Sequence, residues 1–124
     1  MNFQLKTSNY VAERLKQLHA STNLTPNILA RLAIALSLKQ EGIPDIPRSE
    51  SNGRDFNRNT LTGEHDYLYR ALMAQHANRE VSDEEFFPGL FNAHLERGIR
   101  LLSGEYQHAG NYDKFILNLL HQSM

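Results

Sequence analysis

Polar and apolar positions alternate with period two from Asn2 to Lys6, with Phe3 and Leu5 on one side and Asn2, Gln4 and Lys6 on the other. That pattern predicts a short strand. Five residues are too few to hold as an isolated strand, so a partner is required. From Thr7-Ser8 the period changes: Val11, Leu15 and Leu18 follow at helical spacing, and Ser8 is the better-placed N-cap. Ser21-Thr22-Asn23 ends this helix. Leu24-Thr25-Pro26-Asn27 opens a second one, with Thr25 as cap and Pro26 at the first helical position, where its missing N–H costs nothing. Ile28, Leu29, Leu32, Ala33, Ile34, Ala35, Leu36 and Leu38 carry it to about Gln40, with Gly42 as the expected terminator. Only Arg31, Ser37 and Lys39 interrupt its apolar character. Two helices alone cannot cover such a surface, so much of it is expected in a subunit interface or under later helices.

Residues 43–63 read as a polar linker with Pro44, Pro47, Ser49, Ser51 and Gly53, its far end pinned by Phe56 and Leu61. Residues 64–124 read as a helical extension. Around Glu64–Asn78, Tyr67, Leu68, Ala71, Leu72 and Gln75 fall on one helical face. Ser82-Asp83-Glu84-Glu85 is a capping box ahead of Phe86 and Phe87. Pro88-Gly89 bends or restarts the helix, whose buried stripe is Phe91, Leu95, Ile99 and Leu102. Gly104 and Gly110 bracket an expected loop. Tyr112, Phe115, Ile116, Leu119 and Leu120 give the face of a last helix. The expected fold is mainly α, one domain overall. A strand in need of a partner and a helix in need of cover (residues 1–42) are both satisfied when two copies pair, the logic of a ribbon-helix-helix dimer.

The totals narrow the function classes. The 124 residues are 40% hydrophobic and 22% charged, which suits a globular chain rather than a disordered one. There is no apolar run long enough for a membrane span and no signal-peptide pattern, so a cytoplasmic protein is expected. With no cysteine, thiolate nucleophiles and cysteine-based metal sites are excluded. The histidines show no metal-ligand spacing, and no nucleophile elbow, phosphate-binding glycine loop or acidic triad is visible. We therefore expect no enzyme, metal or cofactor.

The net charge of −1 hides an asymmetry. Residues 1–40 hold Lys6, Arg14, Lys16, Arg31 and Lys39 against Glu13 alone, whereas residues 61–124 hold five basic and nine acidic side chains. Local density of this kind permits nucleic-acid binding. A two-stranded ribbon fits the major groove of duplex DNA, where Asn2 and Gln4 carry donors and acceptors for base edges and Lys6 reaches a guanine or a phosphate. The amino end of the second helix, Thr25-Pro26-Asn27, is a natural phosphate clamp, with Arg31 one turn further in. The competing interpretation is a ribbon that only ties two copies together.

Four stretches resemble a known family. Leu5-Lys6-Thr7-Ser8, then Leu15-Lys16-Gln17-Leu18 and Asn23 through Ala33 are similar to the N-terminal signature of DndE, the small subunit of the DNA phosphorothioation (DNA sulfur modification) system. Gly53-Arg54-Asp55-Phe56-Asn57-Arg58-Asn59-Thr60-Leu61-Thr62-Gly63-Glu64 resembles that family's central block. The resemblance implies a non-catalytic partner in a complex that replaces a non-bridging phosphate oxygen of DNA with sulfur. It also implies dimers or tetramers, partner subunits that supply the catalytic steps, and binding of duplex DNA, including nicked duplex, through surface lysines. Lys6 and Lys16 lie in the matching block and are the transferred candidates, followed by Lys39. Two other functions fit the pattern: a ribbon-helix-helix repressor or antitoxin-like regulator, and an assembly scaffold without DNA contact.

Overall fold

The computed structural model describes residues 2–46 and 52–123. In chain order, strand β1 (Gln4–Lys6) leads into α1 (Asn9–Thr22) and α2 (Pro26–Leu38). Strand β2 (Asp55–Asn57) and the single turn α3 (Arg58–Leu61) follow, then α4 (Asp66–Ala77), α5 (Phe91–Ala109) and α6 (Tyr112–Ser123). The architecture is mainly α. Pro47, Ser49 and Ser51 of the expected linker lie outside the described residues.

The predicted helix starts are made as their residues dictate. Ser8 Oγ accepts from Val11 N at 3.2 Å, Thr25 Oγ1 from Ile28 N at 3.3 Å and Ser82 Oγ from Glu85 N at 3.2 Å. Each occupies amides that the first helical turn leaves without a partner. Phe91, Leu95, Ile99 and Leu102 form the buried stripe of α5.

The partner of β1 is not a second copy. β1 pairs antiparallel with β2 of the same chain, Gln4 opposite Asn57, Leu5 opposite Phe56 and Lys6 opposite Asp55. Leu5 and Phe56 both point inward and are buried. Asp55-Phe56-Asn57 repeats the polar–apolar–polar pattern of Gln4-Leu5-Lys6, but one aromatic residue amid polar neighbours reads as linker. The apolar surface of α2 is likewise covered from within, chiefly by α5. Gly98 of α5 lies against Ala33 so closely that a Cβ there would fall 1.9 Å from the Ala33 carbonyl oxygen. Backbone rests on backbone at this crossing.

One other expectation is corrected. α5 continues through Gly104 to Ala109, and only Gly110 stands at its end. In α4 the face carrying Tyr67, Leu68, Ala71 and Leu72 is exposed, while Met73 is the fully buried side chain. Tyr69 contributes from the inner side, meeting Phe91 edge to face at 5.9 Å.

Arg58 joins three segments below the ribbon. Its guanidinium forks onto Asp66 (2.8 and 2.7 Å), reaches Asp83 (2.7 Å) and the Asn2 carbonyl (3.2 Å), and lies over the rings of Phe86 and Phe87. Hydrogen bonds from Arg58 hold both carboxyls below the usual range.

A second buried polar cluster sits where α2, α4 and α5 meet. His94 is fully buried, with Nδ1 2.8 Å from Ser37 Oγ and its ring edge to face with His76 at 5.0 Å. Arg97 donates to Ser37 Oγ at 2.9 Å and to the Gly42 carbonyl at 2.7 Å, closing the carboxyl end of α2. Burial first, then the neighbouring His76 and Arg97, pushes the His94 pKa from 6.5 down to about 4. The unfolded chain therefore binds the extra proton between those two values, and the contribution of neutral His94 is complete only above about pH 6.5. It is lost as the pH falls towards 4. Stability is expected to drop by about 2 kcal/mol from pH 7 to pH 5 through this group alone. Urea midpoints for the wild type and His94→Gln across that range check it, and the variant's curve should be the flatter of the two.

Candidate nucleic-acid interface

The ribbon presents Gln4 and Lys6 to solvent, as an outward strand face requires. Its second strand adds Asn57 and Asp55 to the same face. Lys6 Nζ lies 3.8 Å from Asp55 Oδ1, with both side chains about half exposed or more. Such a pair contributes little to stability, yet it places a carboxylate beside the lysine nominated for DNA. The ribbon face is therefore polar and mixed in charge rather than basic.

The amino end of α2 keeps Thr25 exposed and Asn27 half-buried, with Asn27 Oδ1 lacking a hydrogen-bond partner among the described residues. Arg31, one turn on, points elsewhere. Its Nε donates to the Leu61 carbonyl at 3.0 Å and its Nη2 to the Thr60 carbonyl at 2.8 Å, which fastens α3 to α2. Lys39 is exposed at the opposite end of α2. At 1.5 Å per residue, about 20 Å of helix separates it from Thr25. The seven nominated residues thus fall in four places: Gln4 and Lys6 on the ribbon, Lys16 on α1 in a groove shared with Pro26, beside Thr25 and Asn27, Arg31 turned towards α3 and the α2–α4 face, and Lys39 at the far end of α2.

A groove of about 460 Å³ runs between α1, the start of α2 and the segment before β2. Lys16, His19, Pro26 and Arg54 line it, with Glu13 as its carboxylate. His19 Nδ1 lies 2.8 Å from the Leu24 carbonyl oxygen, so this ring is held against the α1–α2 connection. Gly53 makes the arrangement possible, because a Cβ there would meet the Ser8 carbonyl oxygen at 2.2 Å. Its N–H donates to the Thr7 carbonyl at 2.8 Å, while the Arg54 N–H donates to Thr7 Oγ1 at 2.9 Å. The Thr7 N–H in turn donates to the Arg54 carbonyl at 2.9 Å. This clip brings Arg54 to the side of Lys16 and of His19 one turn further along α1, a placement of Arg54 that residue spacing alone does not reveal. The one signal for it in the sequence is the Gly53-Arg54 pair at the head of the central block.

Among the described residues, no three histidine, aspartate or glutamate side chains converge to hold a metal ion, and no helix is long and apolar enough to cross a membrane. What the N-terminal surface can do is make polar and cationic contacts with an extended anion.

Comparison with known proteins agrees over nearly the whole chain. The family model described as DndE, DNA sulphur modification protein, matches residues 4–122. The crystal structure of DndE from Escherichia coli B7A, involved in DNA phosphorothioation modification, is 25% identical, with a TM-score of 0.66 over 82% of this chain and 97% of that one. A mutant DndE involved in DNA phosphorothioation, with lysines in place of glycines, is 23% identical, with a TM-score of 0.64 and the same coverage, a likeness of fold. No curated protein matches.

Proposed function

The chain belongs to the DndE family of DNA sulfur modification proteins, and from that premise we propose that it is a non-catalytic, DNA-binding, oligomeric accessory subunit of the phosphorothioation machinery. The observation that carries this reading is the extent of the match. Residues 4–122 take in the basic N-terminal elements, the Gly53–Glu64 block and the helical C-terminal half together. A repressor reading draws its support from a ribbon shared between two copies, and here the ribbon is built within one chain.

The ligand is duplex DNA, with nicked duplex a preferred form, and the other partners are the remaining subunits of the system. Exposed Lys6 and Lys16 support the first of these, since contacts to phosphate need accessible cations. The half-buried Asp66 and Asp83 and the buried His94 support a non-catalytic role, because all three are engaged in bonds that hold the fold together.

Self-association is supported by the outer face of α4. Tyr67 is 81% exposed and Leu68 53%, and Leu68 and Leu72 border a shallow apolar cavity of about 280 Å³ shared with Ala35 and Leu38 of α2. Covering such side chains gains about 25 cal/mol per Å² of apolar surface removed from water. We assign this α2–α4 face, rather than the ribbon, to contacts between copies.

Sedimentation of the protein with and without intact and nicked duplexes, at low and high salt, tests the reading. The expected result is an assembly larger than one chain that binds duplex, tighter when nicked, with affinity falling steeply as salt rises. Failure to bind either duplex at low salt overturns the DNA-binding part. A monomer under all conditions overturns the oligomeric part.

A further inference from the structure

Most of the chain's cations are already engaged. Lys6 meets Asp55, Arg58 meets Asp66 and Asp83, Arg79 meets Glu85, and Arg100 meets Glu96. Arg31, Arg70 and Arg97 donate to backbone carbonyls. Lys16 and Arg54 differ: among the described residues, neither head group meets a carboxylate or a carbonyl oxygen. The Arg54 guanidinium rests over the Phe56 ring, 5.4 Å from its centre. Lys16 and Arg54 both line the groove between α1 and the clip at Gly53.

We infer that the groove of Lys16 and Arg54 grips the sugar–phosphate backbone of DNA, with Arg54 a contact residue in its own right. This rests on the DNA-binding reading and gives that reading a surface. Two accessible cations in one groove, with the His19 ring beside them and Glu13 as the opposing charge, favour an anion. No phenylalanine or tyrosine lines the groove, and the His19 ring is tied to the Leu24 carbonyl, so there is no free platform on which a base could stack. The phosphodiester is the part of a nucleic acid that fits, and the contact is therefore insensitive to sequence. The clip at Thr7, Gly53 and Arg54 fixes the arginine's backbone before any ligand arrives, which lowers the ordering cost of the contact.

The test is fluorescence anisotropy of a labelled duplex titrated with full-length protein over a range of salt. Lys16→Ala and Arg54→Ala are each expected to weaken binding ~3–10-fold at low salt and to lower the slope of log affinity against log salt by about 1. Arg54→Lys should retain most of the affinity, which separates charge from packing on Phe56. Glu13→Gln should bind more tightly than the wild type. Lys114→Ala, on α6 and outside the groove, should leave the titration unchanged. Wild-type binding with undiminished affinity in both Lys16→Ala and Arg54→Ala overturns the groove and leaves DNA binding standing. A wild type that binds no duplex overturns both.

Discussion

Arg58→Ala is expected to destabilise the protein by about 3–5 kcal/mol, the largest single loss we anticipate from a polar side chain. The Arg58 side chain is only 4% exposed, and it satisfies two carboxylates and a carbonyl while lying over the rings of Phe86 and Phe87. Removing it leaves Asp66 and Asp83 facing each other across a vacated site, which is why breaking such a group costs far more than the group contributes over an apolar substitute. The pH dependence carries the sign of the argument. Arg58 holds both carboxyl pKa values below their ordinary range, so this contribution is present above that range and lost as acid protonates them in the folded state. The gap between wild type and Arg58→Ala in urea midpoints should therefore be wide near neutrality and narrow in acid. A loss under about 1 kcal/mol at pH 7 would show that the two aspartates find other partners.

Gly98→Ala is the second. In an exposed helix the change would gain about 1 kcal/mol from propensity. Here the added methyl meets the Ala33 carbonyl oxygen and the backbone behind it, and neither can rotate away. Separating α2 from α5 also loosens the contacts of Ile34, Leu95 and Ile99 around the crossing. We expect a net loss of about 2–3 kcal/mol from overpacking, and no folded protein from Gly98→Leu. Thermal unfolding of Gly98→Ala decides the matter, since a rise in melting temperature would mean that the crossing has slack.

What was legible in the residues was local. Ser8, Thr25-Pro26 and the Ser82 box announce helix starts because a cap acts within three residues of itself. Phe91, Leu95, Ile99 and Leu102 announce a buried stripe because one helix carries the whole pattern. What was not legible depends on contacts between distant parts of the chain. Nothing near Phe56 shows that it completes a ladder with Leu5. Leu68 and Leu72 mark an apolar face of α4, but periodicity does not say whether that face turns to the core or away from it. Gly104 looks like a breaker and is carried inside α5, whose other residues outweigh a cost of about 1 kcal/mol.

The same holds for the interface. Lys16 and the start of α2 were readable from a capped helix and a basic N-terminal stretch. Arg54 was not, because only the Gly53 clip to Thr7 carries it across to α1. Arg31 read as added charge one turn behind the phosphate clamp of α2, whereas the carbonyls of Thr60 and Leu61 take up its donors.

The ribbon closed within one chain bears on how such a protein can be divided. β1 takes its hydrogen bonds from Asp55–Asn57, and α2 takes its cover from α5. The leading forty residues are therefore not a portable cassette: grafted elsewhere, they would carry an unzipped strand and a bare helix. Recombination that preserves the fold has to carry β2 and α5 along with them.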